Sequence, residues 1–336
     1  MKRIVLTSVV EGYASDYLID LRALTPKPED CLISLRDQLP GDYYAYVNTI
    51  IQNYDDIITA KPDDLKSRIA GLFSTYSSTV DVSSSHTINV VRQDGTVKSV
   101  TKSFYMLVTD AMRYDSVQEQ VLPKYLKKMG IKSCVYCNAQ YAVSAKKRKT
   151  DGGKKYRSTF TIDHYMAKSD YPYLATSFFN LYPACASCNQ MKSTKPPLFE
   201  LYVNPTEAAV LRNPFVFRLD KQSFVEYSMS GNSDDLVVKF ESRGGLPAGD
   251  AAAYEEYFHV EKLYANYKDS VEEVIWKYRM YNKAGRDALQ DAFGNLLPHN
   301  SDWNRFVLGN YDKEKDILKR PLAKLIQDVA KQLGVI

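Results

Sequence analysis

Long apolar runs are missing from this chain. No stretch approaches the roughly 20 consecutive apolar residues that a membrane-crossing helix requires, so no membrane partner is expected. The N-terminus, MKRIVLTSVVEGYASDYL, carries a short apolar run that stops at Glu11 and lacks a small-residue cleavage site. It reads as structure rather than a leader, and the cytoplasm is the expected compartment. Charge of one sign is scarce as well: 44 basic residues face 40 acidic ones, a net charge of +4. That balance permits a nucleic-acid partner without demanding one. There is no P-loop, internal repeat or second catalytic motif, so an energy-coupled or sensing function would need a separate chain. The sequence is not poor in core-forming residues. It is 45% hydrophobic with 26 Tyr and 13 Phe, which excludes wholesale disorder.

Cysteine is sparse, and its placement is informative. Four of the five fall in two identical spacings, Cys134-Val-Tyr-Cys137 and Cys185-Ala-Ser-Cys188, while Cys31 stands apart as a lone core thiol. A disulfide framework does not suit a long, cytosolic-looking chain, and a redox CxxC needs only one pair. Two CxxC turns match a tetrahedral four-thiolate zinc site. Such a site is closed, so this zinc is expected to be structural and any catalysis to lie elsewhere.

The insert between the pairs, Asn138–Ala184, opens with a basic stretch. Ala145–Arg157, AKKRKTDGGKKYR, holds seven basic residues against one acid, Asp151. Asp151-Gly152 is a hairpin signal, so Gln140–Ser144 and Tyr156–Ile162 are expected to pair. The second strand should end at Asp163-His164. After Cys188 the run Asn189–Lys192 predicts one or two helical turns, stopped before Pro196-Pro197.

The order C-x2-C, Asp-His, Asn-Leu, C-x2-C-Asn-x2-Lys, carried by Cys134, Cys137, Asp163, His164, Asn180, Leu181, Cys185, Cys188, Asn189 and Lys192, resembles the HNH endonucleases, the zinc-clamped branch of the ββα-metal nucleases. The resemblance covers about Lys132–Lys195. It implies that His164 is the general base and that Asp163 and Asn189 hold one divalent cation against the scissile phosphate. Asn180 would tie down the intervening loop and orient the base. The chemistry suits these residue types. Phosphodiester hydrolysis needs a water, a base to deprotonate it, and positive charge for the leaving 3′-oxygen. This sequence departs from the pattern in three ways. Asn189 stands where a third histidine is usual, which favours Mg²⁺ or Mn²⁺. Ala167 stands where a loop proline is common, and the basic hairpin is longer than usual. Beside such a centre, Lys146, Lys147, Arg148, Lys149, Lys154, Lys155 and Arg157 would neutralise backbone phosphates. Lys192 would either contact phosphate or cap the helix C-terminus. DNA is expected ahead of RNA. His86, His259 and His299 lack such company and read as structural or surface residues.

The flanks complete an expected α+β chain, predominantly helical around the central module. Residues 1–130 read as helices with a hairpin near 86–100. Residues 131–197 form the nuclease module. Residues 198–336 read as two or three short strands, turning at Gly231-Asn232, followed by helices. One long helical pattern has a break near Asn266, and another helix is expected over Lys315–Leu333. The aromatic stripe from Tyr257 to Tyr278 reads as core or interface. This order also resembles, compositionally, HNH proteins of bacterial anti-phage systems of the Septu or retron-linked type, which implies a regulatory ATPase or sensor as partner. A non-catalytic zinc-stabilised nucleic-acid-binding module, or a scaffold subunit, is the alternative. Asp163, His164 and Asn189 separate them, because a binder needs no base beside a metal-ligand pair.

Overall fold

The computed structural model describes residues 1–91, 95–148, 154–196, 198–281, 283–293 and 303–336. The molecule is α+β, and its strands form five two-stranded pairs among the described residues. Strand β1 (Ile4–Val5) leads into α1 (Ser8–Arg22), where the Thr7 hydroxyl accepts from the Val10 N–H, 3.4 Å away. Helix α2 (Pro28–Arg36) begins on a proline, whose missing N–H costs nothing at that position. Helices α3 (Gly41–Gln52), α4 (Tyr54–Thr59), α5 (Pro62–Asp64) and α6 (Ala70–Phe73) follow, with a π-helical turn over Leu65–Ile69. The expected hairpin is present as β2 (Ser85–Val91) and β3 (Val97–Ser103), antiparallel with His86 opposite Lys102. Asp94 of its turn lies outside the described residues. Helices α7 (Phe104–Ala111), α8 (Tyr114–Ser116) and α9 (Leu122–Lys128) then run to the first cysteine pair, and Gly130 ends the last of them at φ +72°.

In the central segment β4 (Ser144–Arg148) pairs with β5 (Lys154–Ser158), Ser144 opposite Ser158. The single second strand read from the sequence is in fact two. The chain bends at Thr159-Phe160 and starts β6 (Thr161–His164), whose partner is not the basic hairpin but β7 (Leu181–Ala184). The bend has a local cause. Thr159 stays exposed and bonds Val143 through its N–H (2.9 Å), while Phe160 turns into the core. Helix α10 (Ala186–Lys192) starts within the second cysteine pair, earlier than the Asn189 start read from the sequence.

Strand β8 (Tyr202–Val203) runs parallel to β1, with Ile4 opposite Tyr202. After α11 (Ala209–Arg212), β9 (Phe215–Leu219) and β10 (Val238–Ser242) pair antiparallel, but the residues between them form a helix, α12 (Lys221–Ser230), and not a further strand. Capping decides this. The Asp220 carboxylate accepts from the Ser223 N–H at 3.0 Å, and Ser223 and Tyr227 bury one helical face. Gly231, at φ +71°, is the end of that helix rather than a hairpin turn. Helices α13 (Ala248–Phe258), α14 (Val260–Tyr264), α15 (Lys268–Met280), α16 (Lys283–Phe293), α17 (Trp303–Leu308) and α18 (Ala323–Leu333) complete the chain. The long helical pattern breaks after Tyr264 as expected and also at His259, which sits at φ +46°. From the stripe, Val260, Tyr264, Val271, Val274 and Ile275 are core, while Tyr278 is exposed. The helix expected from Lys315 is interrupted by Leu322 at φ +60°, because the Leu322 N–H turns to the Asn138 carbonyl (2.7 Å).

One buried apolar cluster takes residues from the N-terminal helices, the central segment and the C-terminal helices alike. No helix among the described residues is long and apolar enough to cross a membrane.

Candidate functional site

The two cysteine pairs arrive on different supports. Cys134 and Cys137 sit on a tight turn closed by the Asn138 N–H, which reaches the Cys134 carbonyl at 2.9 Å, and Asn138 at φ +54° then turns the chain onward. The Ala139 N–H points to Cys137 Sγ, 3.4 Å away. Cys185 caps α10 and Cys188 lies in its first turn. All four are buried, and their sulfurs lie within 4.8 Å of one another, with Cys137 and Cys185 4.0 Å apart. Tetrahedral coordination with Zn–S bonds of about 2.3 Å needs sulfurs about 3.8 Å apart. The donor set therefore fits zinc and leaves no position open for a substrate. No other such cluster of His, Cys, Asp and Glu occurs among the described residues.

Beside this centre lies a cleft of about 440 Å³, lined by Asp163, His164, Lys168, Asn189, Tyr114 and Thr161 among others. Asp163 and His164 come from β6, and Asn189 from α10, one residue after Cys188. Asp163 is 4% exposed. Its Oδ2 accepts from the Tyr136 hydroxyl and its Oδ1 from Lys192 Nζ at 3.2 Å. Burial pushes its carboxyl up, against the opposing pull of Lys192 and Tyr136.

His164 is also buried, with its ring 5.1 Å from that of Tyr114. Its Nε2 is 3.0 Å from the Ala175 carbonyl. A carbonyl only accepts, so Nε2 carries the proton and Nδ1 keeps a lone pair. Burial first, and the Lys168 charge second, push the imidazole down to about 3, so it is neutral at ordinary pH. The Lys168 ammonium rests 4.0 Å from the Tyr114 ring centre and is itself pushed down by burial.

Asn180 is fully buried at the end of the loop between β6 and β7. Its Oδ1 accepts from the Met166 N–H (2.8 Å), and its Nδ2 donates to the carbonyls of Met166 (3.1 Å) and Leu174 (3.0 Å). The loop is thereby closed on itself, and the Ala175 carbonyl that faces His164 follows directly on Leu174.

The expected phosphate-binding residues divide. Lys146 and Arg157 are exposed on β4 and β5, opposite Tyr156 and Ala145. Lys147 and Arg148 face Lys155 and Lys154 in the strand register. Lys149 and the Asp151-Gly152 turn lie outside the described residues, as does His299. Lys192 is a correction. It is 3% exposed, and its ammonium bonds Asp163 and the His164 carbonyl (2.9 Å), so it neither faces solvent nor caps α10. Four groups at the site escaped the sequence reading: Tyr114, Tyr136, Lys168 and the Ala175 carbonyl. Only Tyr136 carried a signal, its place inside the first CxxC. His86, by contrast, packs on Tyr43 and bonds Ser84, and His259 sits at a helix junction.

Residues 134–195 match the family model of the HNH endonuclease. The matched segment contains all four clustered cysteines and the Asp163, His164, Asn180 and Asn189 side chains. The match suggests a nuclease, and with it nucleic acid as the binding partner. No curated protein and no solved structure matches the chain.

Proposed function

We propose that this protein is a metal-dependent endonuclease that hydrolyses phosphodiester bonds in DNA. The observation that carries the reading is His164, a neutral imidazole whose Nε2 is committed to the Ala175 carbonyl while Nδ1 remains to take a proton in a cleft shared with Asp163 and Asn189. A general base must hold its lone pair in a fixed direction, and the backbone carbonyl supplies that orientation. Asp163 and Asn189 offer hard oxygen ligands. The Asp163 carboxylate accepts from Tyr136, Lys192 and the His164 N–H and still retains accepting capacity, and Mg²⁺ needs few protein groups because it keeps waters. A divalent cation held there, Mg²⁺ or Mn²⁺, would supply charge to the scissile phosphate and the leaving 3′-oxygen. Asn180 holds the loop that presents the Ala175 carbonyl. Lys168 adds a cation at the cleft, and Lys146, Lys147, Arg148, Lys149, Lys154, Lys155 and Arg157 would neutralise phosphates flanking the cut. The four-cysteine zinc holds the two halves of the site together and takes no part in the chemistry.

A plasmid-nicking assay with Mg²⁺ or Mn²⁺ tests the reading. His164→Ala should slow cleavage by roughly 10²–10⁴-fold while zinc content stays unchanged. Equal rates for the two proteins would overturn the assigned base, and preferential cleavage of RNA would reassign the substrate. Control by an ATPase or sensor in anti-phage defence rests on the order of helical flanks around the module. Cleavage that depends on adding the products of neighbouring genes would support it.

A further inference from the structure

Asp163 is held at both oxygens, and its two side-chain donors come from the two halves of the zinc clamp, besides the neighbouring His164 N–H. Tyr136 lies between Cys134 and Cys137, so its backbone is fixed on both sides by sulfur ligands. Its carbonyl accepts from the Tyr254 hydroxyl at 2.7 Å, and its ring stacks on Phe258 at 4.6 Å with 17° between planes. That packing leaves the hydroxyl one direction, toward Asp163 Oδ2. Lys192 stands on α10, the helix that bears Cys188, and reaches Oδ1 at 3.2 Å. A carboxylate bonded at one oxygen can still rotate about its last torsion. Bonded at both, it presents its remaining lone pairs in one direction.

We propose that Tyr136 is a positioning residue that transmits the geometry of the zinc knuckle to Asp163, so that the structural metal and the divalent-cation site of the endonuclease are coupled through one phenol hydroxyl. The inference rests on the endonuclease reading. Tyr136 touches neither substrate nor cation; it acts by fixing the orientation of a ligand.

The test is Mn²⁺ affinity of the full-length, zinc-loaded protein, read from the electron paramagnetic resonance of free Mn²⁺ without nucleic acid. Tyr136→Phe keeps the stacked ring and removes only the hydroxyl. It should weaken Mn²⁺ binding roughly 10–100-fold with zinc content unchanged. Tyr264→Phe removes a buried hydroxyl that bonds the Cys137 carbonyl of the same knuckle at 2.7 Å and controls for general loosening. It should leave Mn²⁺ affinity at the wild-type value. Affinity of Tyr136→Phe within about twofold of wild type, well below the usual effect of losing a ligand's support, overturns the inference. So does an equal loss in Tyr264→Phe. Asp163→Ala separates this from the underlying reading. If it binds Mn²⁺ as wild type does, no cation sits at Asp163 and both fall. If it loses Mn²⁺ while Tyr136→Phe does not, only the role of Tyr136 falls.

Discussion

Asn180 shows how one side chain can hold a loop without touching a reactant. Its three hydrogen bonds satisfy the Met166 N–H and the Met166 and Leu174 carbonyls within a buried turn. Asn180→Ala strands the Met166 N–H and carbonyl, while the Leu174 carbonyl keeps the Ser177 N–H at 3.2 Å, and each buried polar group left unpaired costs about 1–3 kcal/mol. The variant should lose roughly 2–4 kcal/mol in urea denaturation and cleave more slowly, because the Ala175 carbonyl is no longer fixed against His164. Wild-type stability would contradict this account of the loop. At this scale the sequence offered residue types at meaningful spacings, and Asp163, His164, Asn180 and Asn189 could be singled out by order alone. It could not say that His164 bonds a backbone carbonyl, since a carbonyl carries no sequence signature. Lys192 misled for a related reason. A lysine in the last turn of a short helix is usually solvated, and only a buried carboxylate brought from another strand turns it inward.

The loop between β6 and β7 is carried by elements remote in sequence. The Tyr17 hydroxyl of α1 donates to the Thr176 carbonyl at 2.9 Å, and the Ser177 hydroxyl to the Ile57 carbonyl at 2.6 Å. Tyr173 lies flat on Phe73 of α6, with ring centres 3.7 Å apart. The N-terminal helices are thus the bed of the candidate base. Truncating this anchor, Tyr173→Ala, should cost about 3–5 kcal/mol, as for other large buried aromatics, visible as a lower Tm and lower cleavage with zinc retained. The four-cysteine cluster, which fits zinc, is the second support. Cys188→Ser should lose most of the bound zinc by metal analysis and lower Tm by about 10 °C, given that structural zinc contributes folding energy outright. Zinc content equal to wild type would reject the clamp. The helix at Lys221–Ser230 shows where periodicity fails. Its apolar residues alternate well enough to read as a strand, and the Asp220 cap together with burial of Ser223 and Tyr227 overrides that pattern.

Across the whole molecule, the C-terminal helices reach back to brace the first cysteine turn. The Tyr264 hydroxyl donates to the Cys137 carbonyl at 2.7 Å, and Asn138 bonds the Ile317 carbonyl (3.0 Å) and the Lys324 N–H (2.9 Å). Lys324 is fully buried, its ammonium paired with Asp328 and faced also by Glu314 and Arg243. Burial outweighs those partners and pushes it down to about 8 from an ordinary 10.5. Below pH 8 both folded and unfolded chains hold the proton, and the cost of the buried charge is present in full. Between 8 and 10.5 the unfolded chain holds a proton that the native state has released, so this residue makes stability rise with pH. Lys324→Met lacks that contribution. The stability of wild type relative to the variant, from urea melts, should increase by about 2 kcal/mol between about pH 7.5 and 9.5. A constant difference would show that the lysine does not titrate there.

The sequence by itself determined the two CxxC turns and the neighbouring Asp163-His164 pair. Each depends on residues a few positions apart, where covalent spacing sets the geometry, whereas the meeting of the two cysteine pairs is the work of the fold. It also determined the helical character of the flanks, because amphipathic periodicity is local. Tertiary structure decided the rest. It chose β7 rather than the basic hairpin as partner of β6, turned Lys192 inward, brought Tyr136 to Asp163 and the Ala175 carbonyl to His164, and divided the long helical pattern at His259. Each of these joins groups separated along the chain, or answers to packing against them, and a buried polar group takes its partner from whatever the fold brings within hydrogen-bonding distance.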